Sequence, residues 1–137
     1  MEISIDEVQG RVPVTILVLH GDLDGSNYQT LITTADKVYQ SGTTNLILDL
    51  SQLNYMSSAG LVALHAIAKL LQGGPLPDPN AGWEAFHAIE RDQAAGTHSH
   101  LKLLNPQGKV DQVLVMTGMK SFFDVYTDRQ AAIAACG

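Results

Sequence analysis

Two adjacent serines, Ser57 and Ser58, followed by Ala59 and Gly60, are the residues of this chain best placed to do chemistry. They come after a short connection, Ser51 to Met56, and before a run in which Leu61, Leu64, Ile67, Ala68 and Leu71 recur at helical spacing. A serine at a helix start accepts a hydrogen bond from a backbone N–H two or three residues on, and so caps the helix. The same position lies among free N–H groups at the positive end of the helix dipole, which favours an anion. A phosphate on Ser58 would therefore be electrostatically welcome there, adding roughly −2 charge units at one surface spot without unfolding the chain. Cap and switch are compatible roles.

A second candidate is the segment Gly21-Asp22-Leu23-Asp24-Gly25-Ser26, read as a loop. Asp22, Asp24 and Ser26 are spaced like the first ligands of a calcium loop. The sixth position is Asn27 instead of glycine and the twelfth is Thr33 instead of glutamate, so the pattern fails. The plainer expectation is that Asp24 or Ser26 caps the helix that follows.

Hydrolase chemistry would need Ser58 as nucleophile with His20 or His65 as base. Met56-Ser57-Ser58-Ala59-Gly60 lacks the first glycine of a nucleophile elbow, and His65, near Leu61 and Ala68 on one helix face, is expected to be partly buried. No glycine-rich phosphate loop, paired-cysteine motif or dinucleotide fingerprint occurs. His87, His98 and His100 could hold zinc only if their segment folded back on itself; no cysteine and little carboxylate accompany them, so solvated histidines are expected. No catalytic residue, metal or cofactor is assigned, and the chain is read as a binding protein and not an enzyme.

The elements that must position these residues alternate. Glu2 to Val8 has the half-alternating pattern of an edge strand, and Val14 to His20 is a β-branched run suited to a sheet interior. Tyr28, Leu31, Ile32, Ala35 and Val38 mark a helix that Gly42 ends. Asn45 to Leu50 is a second interior strand. Residues 75–100 change character: Pro75, Pro77 and Pro79 precede Trp83 and Phe86, which lie three apart on a short helix expected over Trp83 to Arg91. That segment reads as an inserted loop, with the two aromatic rings either anchoring it or forming an exposed patch. Leu101 to Leu104 is a strand and Gly108 to Met116 a helix. Phe122 to Tyr126 is a strand, and Asp128 starts a last helix. The alternation predicts an α/β fold with a mixed sheet of four to five strands and helices mainly on one side, spanning residues 1–137 as one domain.

Composition narrows the partners. The 137 residues carry eight Lys and Arg against fourteen Asp and Glu, a net charge of −6, with no basic stripe. Nucleic acid and anionic membrane both need a cationic face, so neither is expected. No apolar run is long enough to span a bilayer, and Cys136 has no second cysteine to pair with; a cytoplasmic location is expected.

The segment from Asp49 through Tyr55-Met56-Ser57-Ser58-Ala59-Gly60-Leu61 resembles the signature of STAS domains, in particular the bacterial anti-sigma factor antagonists. Gly21-Asp22-Leu23-Asp24 resembles that family's Gly-Glu-Leu-Asp loop. Leu101 to Pro106, Val110 to Met119 and Phe122 to Tyr126 resemble its closing strand, helix and strand. The resemblance implies that Ser58 is the serine phosphorylated by a cognate anti-sigma factor serine kinase, and that a serine phosphatase reverses the modification. It also implies that the partner is met by Asp22, Asp24, Ser26, Ser57, Ser58, Ala59 and Gly60. Ser57 stands where the family commonly has Asp, and Ala59 where it often has a second Ser or Thr. These departures and the insertion keep an alternative open, a non-phosphorylated STAS scaffold or small-ligand-sensing module.

Overall fold

The computed structural model describes residues 1–71 and 98–136. The expected short helix at Trp83 to Arg91, Phe86 and His87 all lie outside them. The described strands are β1 (Glu2–Gln9), β2 (Pro13–Leu23), β3 (Leu46–Asp49), β4 (Leu53–Met56), β5 (His98–Leu104) and β6 (Phe123–Tyr126). The helices are α1 (Tyr28–Gln40), α2 (Ser58–Leu71), α3 (Gly108–Met116) and α4 (Arg129–Ala135), with a 3-10 turn over Met119–Phe122. The sheet runs β1-β2-β3-β5-β6. β1 is antiparallel to β2, as an edge strand joined by a tight turn must be, and the other pairings are parallel.

The β-branched interior of β2 pairs on one side with all of β1, from Glu2 opposite His20 to Gln9 opposite Pro13. On its other side it has two successive partners. Thr15 to Val18 pair with β3, and Gly21 to Leu23 pair with β4. β4 thus continues the lane of β3 beside β2, after Leu50–Gln52 step aside to let Leu50 N–H donate to the Leu104 carbonyl at 2.9 Å. Two expectations are corrected here. Gly21–Leu23 is strand and not loop, and Leu53–Met56 is strand and not connection, which brings the count to six. The expected pattern was hidden because Leu53 and Met56, three residues apart, both point inward. An ordinary strand would send them to opposite faces; the register steps from Gly21 opposite Leu53 to Asp22 opposite Tyr55, so Asn54 is an extra residue that restores the facing.

The main core lies on one face, where Leu17, Leu19, Leu23, Leu48 and Leu103 meet Leu31 and Ala35 of α1, Leu64 and Ile67 of α2, and Val110 and Leu114 of α3. α2 is buried on nearly every side, His65 included at 3% exposure, more fully than the partial burial expected from its spacing. The reverse face holds a smaller cluster of Val14, Ile16, Ile47 and Leu104 under Ala132, Ile133 and Cys136. So three helices pack on one side and the last on the other. Gly10, in the β1–β2 turn, lets α4 reach that turn: a Cβ there would stand 2.7 Å from Ile133 Cγ2.

Helix ends follow local chemistry. At the end of α1, Gly42 adopts φ +109°, and the Gly42 and Thr43 N–H groups return to the carbonyls of Tyr39 and Val38. Asp128 caps α4 by accepting from Gln130 N–H. β5 begins at His98, so His98 and His100 belong to a strand and not to the insertion. Phe122 closes the 3-10 turn, and β6 starts one residue later than expected.

Candidate functional site at the serine turn

The end of the sheet where β2 and β4 finish brings the two sequence motifs together. Leu23 and Met56 are register partners, and immediately beyond them the Ser57 N–H donates to the Leu23 carbonyl at 2.9 Å. The Asp22–Ser26 turn and the serine pair are therefore tied by a backbone hydrogen bond. Gly60 makes this junction close: a Cβ on it would stand 2.4 Å from Met56 Cγ and 3.1 Å from Leu23 Cδ2, so only glycine lets α2 settle onto both strand ends.

The two serines divide the work. Ser57 Oγ accepts from the Ala59 N–H at 3.2 Å, and the Ser57 carbonyl accepts from the Gly60 N–H at 2.9 Å, so Ser57 is the cap of α2. Ser58 is the first helical residue and is exposed. The first turn of α2 carries no acidic side chain. A group on Ser58 Oγ would thus meet the positive end of a fourteen-residue helix without displacing the capping bond.

The acidic turn is internally braced. Asp24 Oδ1 accepts from Ser26 N–H at 2.9 Å and from Ser26 Oγ at 2.6 Å. These two bonds hold the Asp24 carboxyl below its ordinary range, the side-chain bond contributing most. Asn27 locks the same turn from behind: its Oδ1 accepts from Asp24 N–H and its Nδ2 donates to the Asp22 carbonyl. The residue before α1 is Asn27, which corrects the expected cap by Asp24 or Ser26; Asp24 is turned onto Ser26, and its carbonyl, not its carboxylate, receives Asn27 N–H and Tyr28 N–H.

One residue of this surface was missed from sequence. Tyr55 is 42% exposed and pairs in register with Asp22. Read as part of a connection, it carried no facing information; only the β4 pairing reveals its neighbour. His20 is half-buried on β2, and His65 is buried within α2. His100 is exposed on β5, and no group of three or more potential metal-binding side chains occurs among the described residues. A surface groove of about 540 Å³ lies at the opposite end of the sheet, between Glu7, Pro13, Thr15 and Thr43, away from the serines. No helix among the described residues is long and apolar enough to cross a membrane.

A mixed sheet with this strand order, three helices on one face and a serine turn opening α2 defines a STAS domain. The STAS family model matches residues 6–76, more than half of the chain, and the chain belongs to that family. It is 27% identical to BtrV of Bordetella bronchiseptica, provisionally named an anti-sigma factor antagonist, over 98% of this chain and 94% of that one. A Thermotoga maritima crystal structure with the same provisional name superimposes with a TM-score of 0.70 at 18% identity, covering 98% of this chain and 93% of the other. The Bacillus cell fate determinant SpoIIAA in its phosphorylated form superimposes with a TM-score of 0.54 at 18% identity, covering 95% and 96%. The fold is thus that of the anti-sigma factor antagonists.

Proposed function

We propose that this chain is a partner-switching regulator that binds an anti-sigma factor serine kinase and is released when Ser58 is phosphorylated. The observation that carries the reading is the division of labour between the serines: Ser57 makes the helix cap, so the exposed Ser58 hydroxyl is free to be modified at no structural cost. The relation to BtrV and the likeness to a fold known in a phosphorylated form support it. Asp22, Asp24, Ser26, Ala59 and Gly60 would complete the contact surface, and the chain would act in the cytoplasm as one domain, as ligand and phosphoryl acceptor and not as the enzyme.

In the transfer, Ser58 Oγ forms a bond to the γ-phosphorus of ATP while the bond from that phosphorus to the β–γ bridging oxygen breaks. ADP leaves, and the hydroxyl proton passes to a base of the kinase. The product would place a dianion at the strand end that the backbone bond from Ser57 to Leu23 ties to the acidic turn, and against the nucleotide phosphates in the kinase site, so the complex is destabilised by like charge and not by unfolding. A serine phosphatase would restore binding.

The test is intact mass after incubation with ATP and the anti-sigma kinases of the host, with Ser58→Ala as control. One added phosphate that vanishes in the control is the expected result. Ser58→Asp should bind at least about tenfold less tightly than wild type, about 1.4 kcal/mol, while Ser58→Ala retains binding. No phosphate, with equal binding by both variants, would replace the switch by a constitutive scaffold.

A further inference from the structure

We infer that Tyr55 and Asp22 form a recognition pair for an arginine side chain of the anti-sigma kinase, on the sheet face opposite α2. The inference rests on the partner-switching reading and adds to it a determinant that the serine turn does not contain. Leu23 and Met56 both point into the main core, and the missing Cβ of Gly60 would touch both. Their chain neighbours Asp22 and Tyr55 must then point to the reverse face, because side chains alternate along a strand. Register pairing puts these two residues about 5 Å apart at the backbone, the spacing of adjacent strands. The bulge at Asn54 sets Tyr55 opposite Asp22; in an unbroken ladder Asn54 would pair there instead.

Both side chains are left for a partner. Asp22 is exposed, and within the described residues its carboxylate makes no hydrogen bond or ion pair; Asn27 donates to its carbonyl instead. The Tyr55 hydroxyl makes no hydrogen bond among the described residues either. An aromatic face beside an unpaired carboxylate matches one side-chain chemistry, a guanidinium, which stacks on the ring while its N–H fork donates to the carboxylate. Charge points the same way, since a chain of net charge −6 favours a cationic partner surface. Continuity selects the kinase as the bearer of that arginine. Tyr55 precedes Ser58 by three residues, and any enzyme whose nucleotide reaches Ser58 must cover this strand end. Aromatic anchors next to an otherwise polar contact are where binding energy concentrates.

The test compares Asp22→Asn, Tyr55→Leu, Tyr55→Phe and the Asp22→Asn/Tyr55→Leu double variant in titrations against the kinase that phosphorylates Ser58. Both side chains are solvent-facing, and unchanged thermal melts confirm that the fold is retained. Asp22→Asn and Tyr55→Leu should each raise Kd by about fivefold, and Tyr55→Phe, which keeps the ring face, should stay within about twofold. The double variant should lose little more than the worse single one, because both groups hold the same side chain. The KM for phosphorylation should rise with Kd while kcat holds, since neither residue touches the reacting atoms. Wild-type binding with Asp22→Asn and Tyr55→Leu both within about twofold, or losses that multiply in full, would overturn the arginine pair while leaving the switch intact. If the wild-type chain binds no kinase at all, the switch reading falls and the pair falls with it.

Discussion

Replacing Gly60 by alanine sets two opposing effects against each other, and the structure decides between them. Gly60 is the third residue of α2, where alanine gains up to about 1 kcal/mol in helix propensity. Against that, the added Cβ would stand 2.4 Å from Met56 Cγ and 3.1 and 3.2 Å from two Leu23 atoms, all in fully buried side chains. Met56 Cγ is in the middle of its side chain and cannot swing clear without moving the buried thioether. Overpacking of this kind costs about 1–3 kcal/mol. The net expectation is a loss of about 1–2 kcal/mol, or about 3–6 °C in melting temperature. Urea titration should show a lower midpoint with an unchanged slope. Met56→Ala combined with Gly60→Ala should cost less than the sum of the two, since removing Cγ relieves the contact. A Gly60→Ala chain as stable as wild type would refute the claim that this junction is closed to a Cβ.

Three further outcomes follow from the site. Ser57→Ala should lose about 1 kcal/mol in urea titration through loss of the cap, whereas Ser58→Ala should stay within about 0.5 kcal/mol; the reverse ranking would exchange the roles of the two serines. The Asp24 carboxyl, followed by NMR, should titrate below its ordinary 3.8, and Ser26→Ala should move it upward; because the folded value is the lower one, any stability it lends is present above that ordinary value and fades as pH falls through the lowered midpoint. Burial pushes the Cys136 thiol upward, opposed by the Lys102 charge, so its favourable effect is full below the ordinary value of 9.0 and is lost as pH rises through the raised one. Cys136 should therefore alkylate slowly at pH 8 in the native chain and fast in urea; equal rates would mean that the end of α4 is not packed onto the sheet.

What the sequence made legible and what it hid separate by the range of the cause. The helices could be read because Leu31 and Ala35, or Val110 and Leu114, repeat at the period that one buried face demands. β2 could be read through Val14 to His20, but not through Gly21–Leu23, because a Gly-Asp-Leu-Asp run looks like a turn until β4 arrives to pair with it. β4 itself escaped because its bulge breaks the alternation on which strand reading depends. The Asp24 cap failed for a subtler reason. Asp, Ser and Asn all compete for the same few N–H groups, and the sequence does not say which wins; here Ser26 captures Asp24 and leaves Asn27 before the helix.

The same competition explains how one turn can be rigid and still accommodate the switch proposed for it. Every polar group that shapes the turn already has a partner: Ser57 with Ala59, Asp24 with Ser26, Asn27 with Asp24 and Asp22. The exposed side chains that remain, those of Ser58, Asp22 and Tyr55, contribute little to holding it. A modification at Ser58 therefore changes what the surface offers a partner without changing the scaffold beneath it, which is the condition for a reversible charge-based signal. The corollary concerns Ser57. A carboxylate there would cap α2 equally well but would place a fixed negative charge beside Ser58, so Ser57→Asp should keep the fold and alter only the rate at which a kinase accepts the chain. A Ser57→Asp protein that unfolds would show that the cap is specific to a hydroxyl and that the turn is less tolerant than its bonding suggests.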